Sequence, residues 1–184
     1  MNATEILMDE HRVIERVLDA LESAANLATQ GGQIQPGFFI DASDFIKGFA
    51  DGCHHMKEEG VLFKALIESG MPAHDGPIAV MLAEHEQGRM HTRSIRAGAE
   101  KWLAGDLSAR EAVVSSAHGY VALLRQHIAK EDNVLFPMAD RVIPLEKQDQ
   151  VTKDFERIEH EETGEGVHEK YLTMAEALEK EVNQ

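Results

Sequence analysis

The sequence predicts an all-α fold, an up-down-up-down four-helix bundle with an additional C-terminal helical segment. Three observations predict it. Apolar residues recur at helical spacing, and almost no segment alternates with period two. Glycine and proline interrupt the chain only at intervals that leave room for long helices. A ten-residue block in the first half returns in the second, which makes the chain a doubled pair of helices.

The elements follow in order. The first helix runs from about Thr4 to Thr29 with Leu7, Ile14, Val17, Leu18 and Leu21 on one face, and Gly31-Gly32 ends it. Pro36 suits the first turn of the second helix, because its missing N–H would be unpaired there anyway. That helix continues to Ser69, where Gly70-Met71-Pro72 breaks it. The third helix spans Pro77 to Gly105. Ser108 and Glu111 have the spacing of a capping box for the fourth, which reaches about Asp140 with Pro137 bending its end. Pro144 opens a last segment, split near Gly164 and Gly166, in which Val167, Tyr171, Met174 and Leu178 share a face. The domain reading is a bundle over 1–143 and an extension over 144–184 that packs on the bundle or on a partner.

Composition narrows the function classes. The net charge of -15 repels phosphate backbones, so nucleic acid is an unsuitable partner. No run of about twenty apolar residues is present, so no membrane span is expected. The start has no basic segment leading into an apolar one, and the single cysteine, Cys53, cannot form an internal disulfide. Both features point to the cytoplasm. Ten histidines point to metal, because a neutral imidazole nitrogen is available near neutral pH.

The repeat carries the chemistry. His54 to Phe63 and His127 to Phe136 both read H-x-x-K-E-x-x-V-L-F, offset by 73 residues. Glu10-His11 and Glu84-His85 repeat at an offset of 74. Each half thus offers a lone histidine on its first helix and a His-x-x-x-Glu pair on its second. Residues four apart lie on one helix face, so an imidazole and a carboxylate can reach one ion, and iron accepts both. A single such pair is more often an exposed ion pair. The shared Val-Leu-Phe register sets these two beside the core instead. The candidate ligands are His11, His54, Glu58, His85, His127 and Glu131, the last of which the repeat aligns with Glu58.

In that order these residues resemble the H…HxxxE…H…HxxxE pattern of the hemerythrin-like (HHE cation-binding) family, across roughly residues 4 to 140. The resemblance implies two irons, with manganese or zinc as alternatives, and Glu58 and Glu131 as bridging carboxylates. It implies His11 and His54 on one metal and His85 and His127 on the other. The family's oxygen carriers also use HxxxxD on the fourth helix, and His127 to Asp132 fits that spacing, so Asp132 competes with Glu131. The family's oxygen carriers place a second histidine where this chain has Arg89, a cation that cannot ligate. The metal served by His85 is therefore expected to lack a protein ligand and to stand open, which favours reaction or sensing over reversible carriage.

Other residues stay ambiguous at this level. His55 either supplies a further ligand or sits at the bundle edge. Tyr120 either hydrogen-bonds into the site or is a core tyrosine with its hydroxyl satisfied. Glu15 reads as an exposed partner of Arg12 or Arg16, and Cys53 as a small buried thiol. Met56, Met81 and Met90 read as core filler, and His74, His91, His118, His160 and His168 as surface or supporting residues. Two function classes follow: a module that binds or senses O2, NO, peroxide or iron, and a metal enzyme that turns over peroxide or reduces oxygen. Peroxide consumption beyond one equivalent separates them. A helical interaction protein with incidental histidines would bind no metal. A homodimer is compatible with the sequence.

Overall fold

The computed structural model describes residues 1–163 and 166–183, the side chains of 161–163 excepted. Gly164 of the expected split lies outside the described residues. Among them the chain is all helical. α1 is Ala3–Thr29, α2 covers 36–68, α3 is Pro77–Leu103 and α4 covers 109–142. α5 covers 145–163 and α6 is Val167–Val182. No helix among the described residues is long and apolar enough to cross a membrane.

The ends have local causes. Asn2 caps α1 by accepting from the Glu5 backbone N–H, while Glu5 accepts from the Asn2 N–H, a reciprocal box that the sequence reading missed. Gly31 and Gly70 take positive φ just past α1 and α2. The next N–H then turns back to Leu27 and Leu66, which satisfies carbonyls that would otherwise be left over. The expected capping role of Ser108 does not hold. Its backbone is helical and its side chain caps nothing, because Asp106 accepts from both its N–H and its hydroxyl. Pro144 precedes α5 directly, and Gly166 is left-handed immediately before α6.

α2 and α4 are not uniform. In α2 the stretches Ile46–His55 and Glu58–Leu62 form wide turns with i→i+5 hydrogen bonds, and in α4 the stretch Glu131–Leu135 does so. Phe63 N–H donates to the Glu58 carbonyl and Phe136 N–H to the Glu131 carbonyl, so the repeat of sequence is also a repeat of backbone. Pro137 follows the second wide turn directly, and its missing N–H removes one bond of a regular helix there.

α1 packs on α4, α4 on α3, α3 on α2 and α2 on α1, which closes a ring. The α1 face is fully buried, and each such leucine contributes roughly 1.5–3 kcal/mol. The interior holds two apolar clusters. One contains Ile14, Leu21, Phe49, Ile95 and Leu124, the other Leu7, Leu62, Ile78, Met81 and Leu135. Each of the four helices crosses from one cluster to the other, and His11, His54, His85 and His127 lie at the crossings. Met81 is core as expected. Met56 and Met90 are not, since both lie on outward faces at 37% and 58% exposure.

α5 packs on α1 and on the wide turn at Glu58, and α6 packs on α1 and α2. Leu178 and Ala175 are buried there, and Tyr171 seats against Gly48, where a methyl group would overlap its ring. Gly48→Ala is therefore expected to push Tyr171 out and loosen α6, at a cost of about 1–3 kcal/mol. Amide exchange should speed up across Val167–Val182 and stay unchanged in α3. Equal protection of α6 in both proteins would contradict this docking.

Candidate metal centre

The polar layer begins with the repeat. The wide turn that starts at Glu58 and the one that starts at Glu131 turn these carboxylates into the centre, where both are fully buried. One helical turn earlier, His54 and His127 face the same way. α1 and α3 bring His11 and His85 from opposite positions in the ring. All four imidazoles are at most 1% exposed.

The ligand atoms fall into two groups. His11, His54, Glu58 and Glu131 form one, and His55, Glu58, His85 and His127 form the other; within each, the facing atoms lie within 4.8 Å of one another. Glu58 belongs to both. Its Oε1 is 3.5 Å from His54 Nε2 and its Oε2 is 3.3 Å from His85 Nε2. Glu131 also touches both sides, with Oε2 3.3 Å from His11 Nε2 and 3.2 Å from His127 Nε2. Asp132 is in neither group. Its carboxylate turns outward to His11 Nδ1 and Arg12.

His55 is the residue that the sequence left undecided. It is buried, its ring stacks on His85 at 3.8 Å, and its Nδ1 meets Asp51 at 2.9 Å. Adjacent residues about 100° apart can both face the interior when each leans toward a different neighbouring helix. His54 leans toward Glu10 of α1, and His55 toward His85 of α3. Sequence reasoning left the His85 side short of a ligand at Arg89, and His55 stands there as a further group that could hold an ion. Arg89 instead binds Glu59, with Asp51 at 3.5 Å and Glu86 at 3.7 Å.

Behind the histidines stands a set of carboxylates that sequence reasoning did not assign. Asp132 holds His11 Nδ1 at 2.7 Å, Glu10 holds His54 at 3.0 Å, Glu59 holds His85 at 2.8 Å and Glu84 holds His127 at 2.9 Å. Each carboxylate is met in turn by a cation: Arg12, Lys57, Arg89 and Lys130 respectively. The signal was present, because Glu10/Glu84 and Lys57/Lys130 belong to the same repeat. An Nδ1–H given to a carboxylate leaves Nε2 as a lone-pair donor aimed at the centre, the arrangement of metal-bound histidines.

The electrostatics of the bare ligand set are unfavourable. Nε2 of His11 and His54 and both oxygens of Glu58 and Glu131 are buried without a hydrogen-bond partner among the described residues, and His85 Nε2 and His127 Nε2 stand 3.0 Å apart. Burial works against charge on His11 and His85, but Asp132, Glu131 and Glu58 around the first, and Glu58 and Glu59 around the second, raise both pKa values to about 9. Burial, and then the other imidazoles, push His55 well below the ordinary range. Glu131 is raised by burial and by the facing Glu58. Cations shared among these atoms satisfy all of them at once, and imidazole with carboxylate suits a first-row transition metal. The residues therefore fit a metal.

The remaining candidates are less central. Tyr120 is a core tyrosine, but its hydroxyl has no hydrogen-bond partner among the described residues, and burial raises its pKa well above the ordinary value. Cys53 is buried and in neither ligand group, and burial raises its thiol to about 11. Glu15 pairs with Arg12 at the surface. His74 and His160 are exposed, His118 meets Asn26, His91 packs over Gly119, and His168 lies beside Glu159 and Phe49.

The chain is 25% identical over 180 residues to the uncharacterized protein Mb2018 of Mycobacterium bovis and to the uncharacterized proteins MT2051 and Rv1995 of Mycobacterium tuberculosis, covering 98% of this chain and 70% of each relative. No solved structure matches it significantly. The profile of the family described as "Hemerythrin HHE cation binding domain" matches residues 2–139. The chain belongs to the hemerythrin HHE cation-binding domain family.

Proposed function

We propose that this protein is a cytoplasmic, non-haem di-iron module that binds or senses a small oxidant or diatomic molecule such as O2, NO or peroxide. The observation that carries the reading is Glu58, a buried carboxylate with one oxygen toward each of two ligand groups. Such a residue suits a pair of ions better than a single one. In this reading His11 and His54 hold one ion, His55, His85 and His127 hold the other, and Glu58 and Glu131 serve both. The bundle over 1–143 is up-down-up-down, supported by the alternating order in which successive helices cross the two apolar clusters. The 144–184 segment is its extension.

An iron pair, when bound, supplies an exchangeable coordination position and the electrons for a small ligand. The chain supplies the rest. The carboxylates at Nδ1 fix each tautomer and ring orientation. Phe136 stacks on His11 at 5.4 Å and Phe63 near His85 at 6.0 Å, which screens the rings from water. No nucleophile–base pair outside the ligand set is part of this reading, so turnover of peroxide or oxygen, the alternative, would draw its chemistry from the metal.

Protein grown with supplemental iron and purified without air is expected to carry two metal ions per chain by elemental analysis. It should gain near-ultraviolet charge-transfer bands on exposure to air. A metal content near zero would overturn the reading.

Glu58→Ala is expected to lose most of both ions. Glu59→Ala, which removes only the support behind His85, is expected to weaken metal affinity by roughly 10–100-fold. Equal retention in the two variants would show that Glu58 is not shared.

His55→Ala should lose one ion preferentially and leave the His11/His54 ion in place, read as a metal content falling from two toward one. An unchanged content would place His55 outside the ligand set.

A further inference from the structure

The two sides of the polar layer differ in how they can be approached. On the His54 side, Lys57 is completely buried beneath Glu159 from the C-terminal segment. Its repeat equivalent, Lys130, is 42% exposed. On the His55 side a cleft of about 680 Å³ opens between α2 and α3, and its lining includes Asp51 and Arg89. Asp51 holds His55 Nδ1, and Arg89 holds the Glu59 that holds His85. The cleft thus ends one side chain from His55 and two from His85, histidines of a single ligand group.

Its charge is unlike that of the chain. The molecule carries 33 acidic against 18 basic residues, yet the cleft is lined by Lys47, Arg89, Arg93 and Arg96 against Asp44, Asp51 and Glu100. The three arginines stand at i, i+4 and i+7 on α3 and form a ladder that leads inward to Arg89. Lys47 faces them from α2 and makes no ion pair with a carboxylate among the described residues. Arg93 is 63% exposed in its pair with Glu86, and Arg96, paired with Asp44 and Glu100, is 39% exposed. Solvent-exposed pairs of this kind are weak, so an entering anion can take over the guanidinium hydrogen bonds. Guanidinium groups match the planar fork of an oxyanion.

We propose that this cleft binds a small planar oxyanion of nitrite or carboxylate size and delivers it to the His55/His85 side of the layer. The binding half stands on the cleft alone; the delivery half rests on the metal reading given above. No redox or covalent step is implied.

The binding half is tested with sodium nitrite as the probe and the metal-free full-length chain, followed by amide chemical shifts. Saturable shifts are expected at Lys47, Gly52, Arg93 and Ala97. Affinity should be weaker by about tenfold in Arg93→Ala/Arg96→Ala, whose spectrum elsewhere checks its fold. Lys47→Ala, a surface change on the opposite wall, should weaken it independently. Shifts that do not saturate, that scatter over the surface, or that persist unchanged in both variants overturn the proposal. The delivery half is tested on iron-loaded protein. The rate at which formate alters the optical spectrum should fall about tenfold in Arg93→Ala/Arg96→Ala, while the rate for uncharged NO stays the same. Equal formate rates overturn delivery. A chain that takes up no iron sinks the metal reading instead, and the nitrite titration still decides the cleft.

Discussion

The bond between a histidine Nδ1 and a carboxylate behind it organises this molecule. Without that bond the imidazoles could rotate or change tautomer, and Nε2 would not be held toward the centre. Except for His55 and Asp51, which share α2, every such bond joins two different helices, so the pairs that orient the ligands also fix the helices in register. His54 and Lys57 of α2 close on Glu10 of α1, and His127 and Lys130 of α4 close on Glu84 of α3. Buried charge is a poor source of net stability. Here it sits between two apolar clusters that provide the stability, and it specifies how they are aligned.

This explains why so much of the repeat was legible. In H-x-x-K-E-x-x-V-L-F the histidine and glutamate face the centre, the lysine grips the glutamate of one neighbouring helix, and the phenylalanine lies against the histidine of the other. The acid after the shared glutamate, Glu59 or Asp132, holds the same histidine from behind. Periodicity and offset reveal such positions because each is used twice.

What was not legible is what occurs once. His55 aligns with Ile128 in the other half, so the repeat gave no reason to include it. Its inward turn depends on which helix lies beside it, a tertiary fact. The outward placement of Met56 and Met90 is tertiary in the same way, since a methionine's composition does not say which face it occupies. Ser108 failed for a local reason, an aspartate two residues earlier that competed for its hydroxyl and N–H. The Tyr120 hydroxyl lacks a hydrogen-bond partner among the described residues, and no feature of the sequence suggests that.

The wide turns at Glu58–Leu62 and Glu131–Leu135 have a consequence for how these helices can change. A wide turn takes up one residue more than a regular one. The ligand pair before it and the Leu-Phe anchor after it are therefore set at different phases around the same axis. Rewinding either turn into an ordinary helix with every residue kept would rotate the anchor by up to about 100° relative to the ligands. α2 and α4 each work as two segments joined by a fixed offset. The residue types at either end can vary, but the turn between them must stay wide.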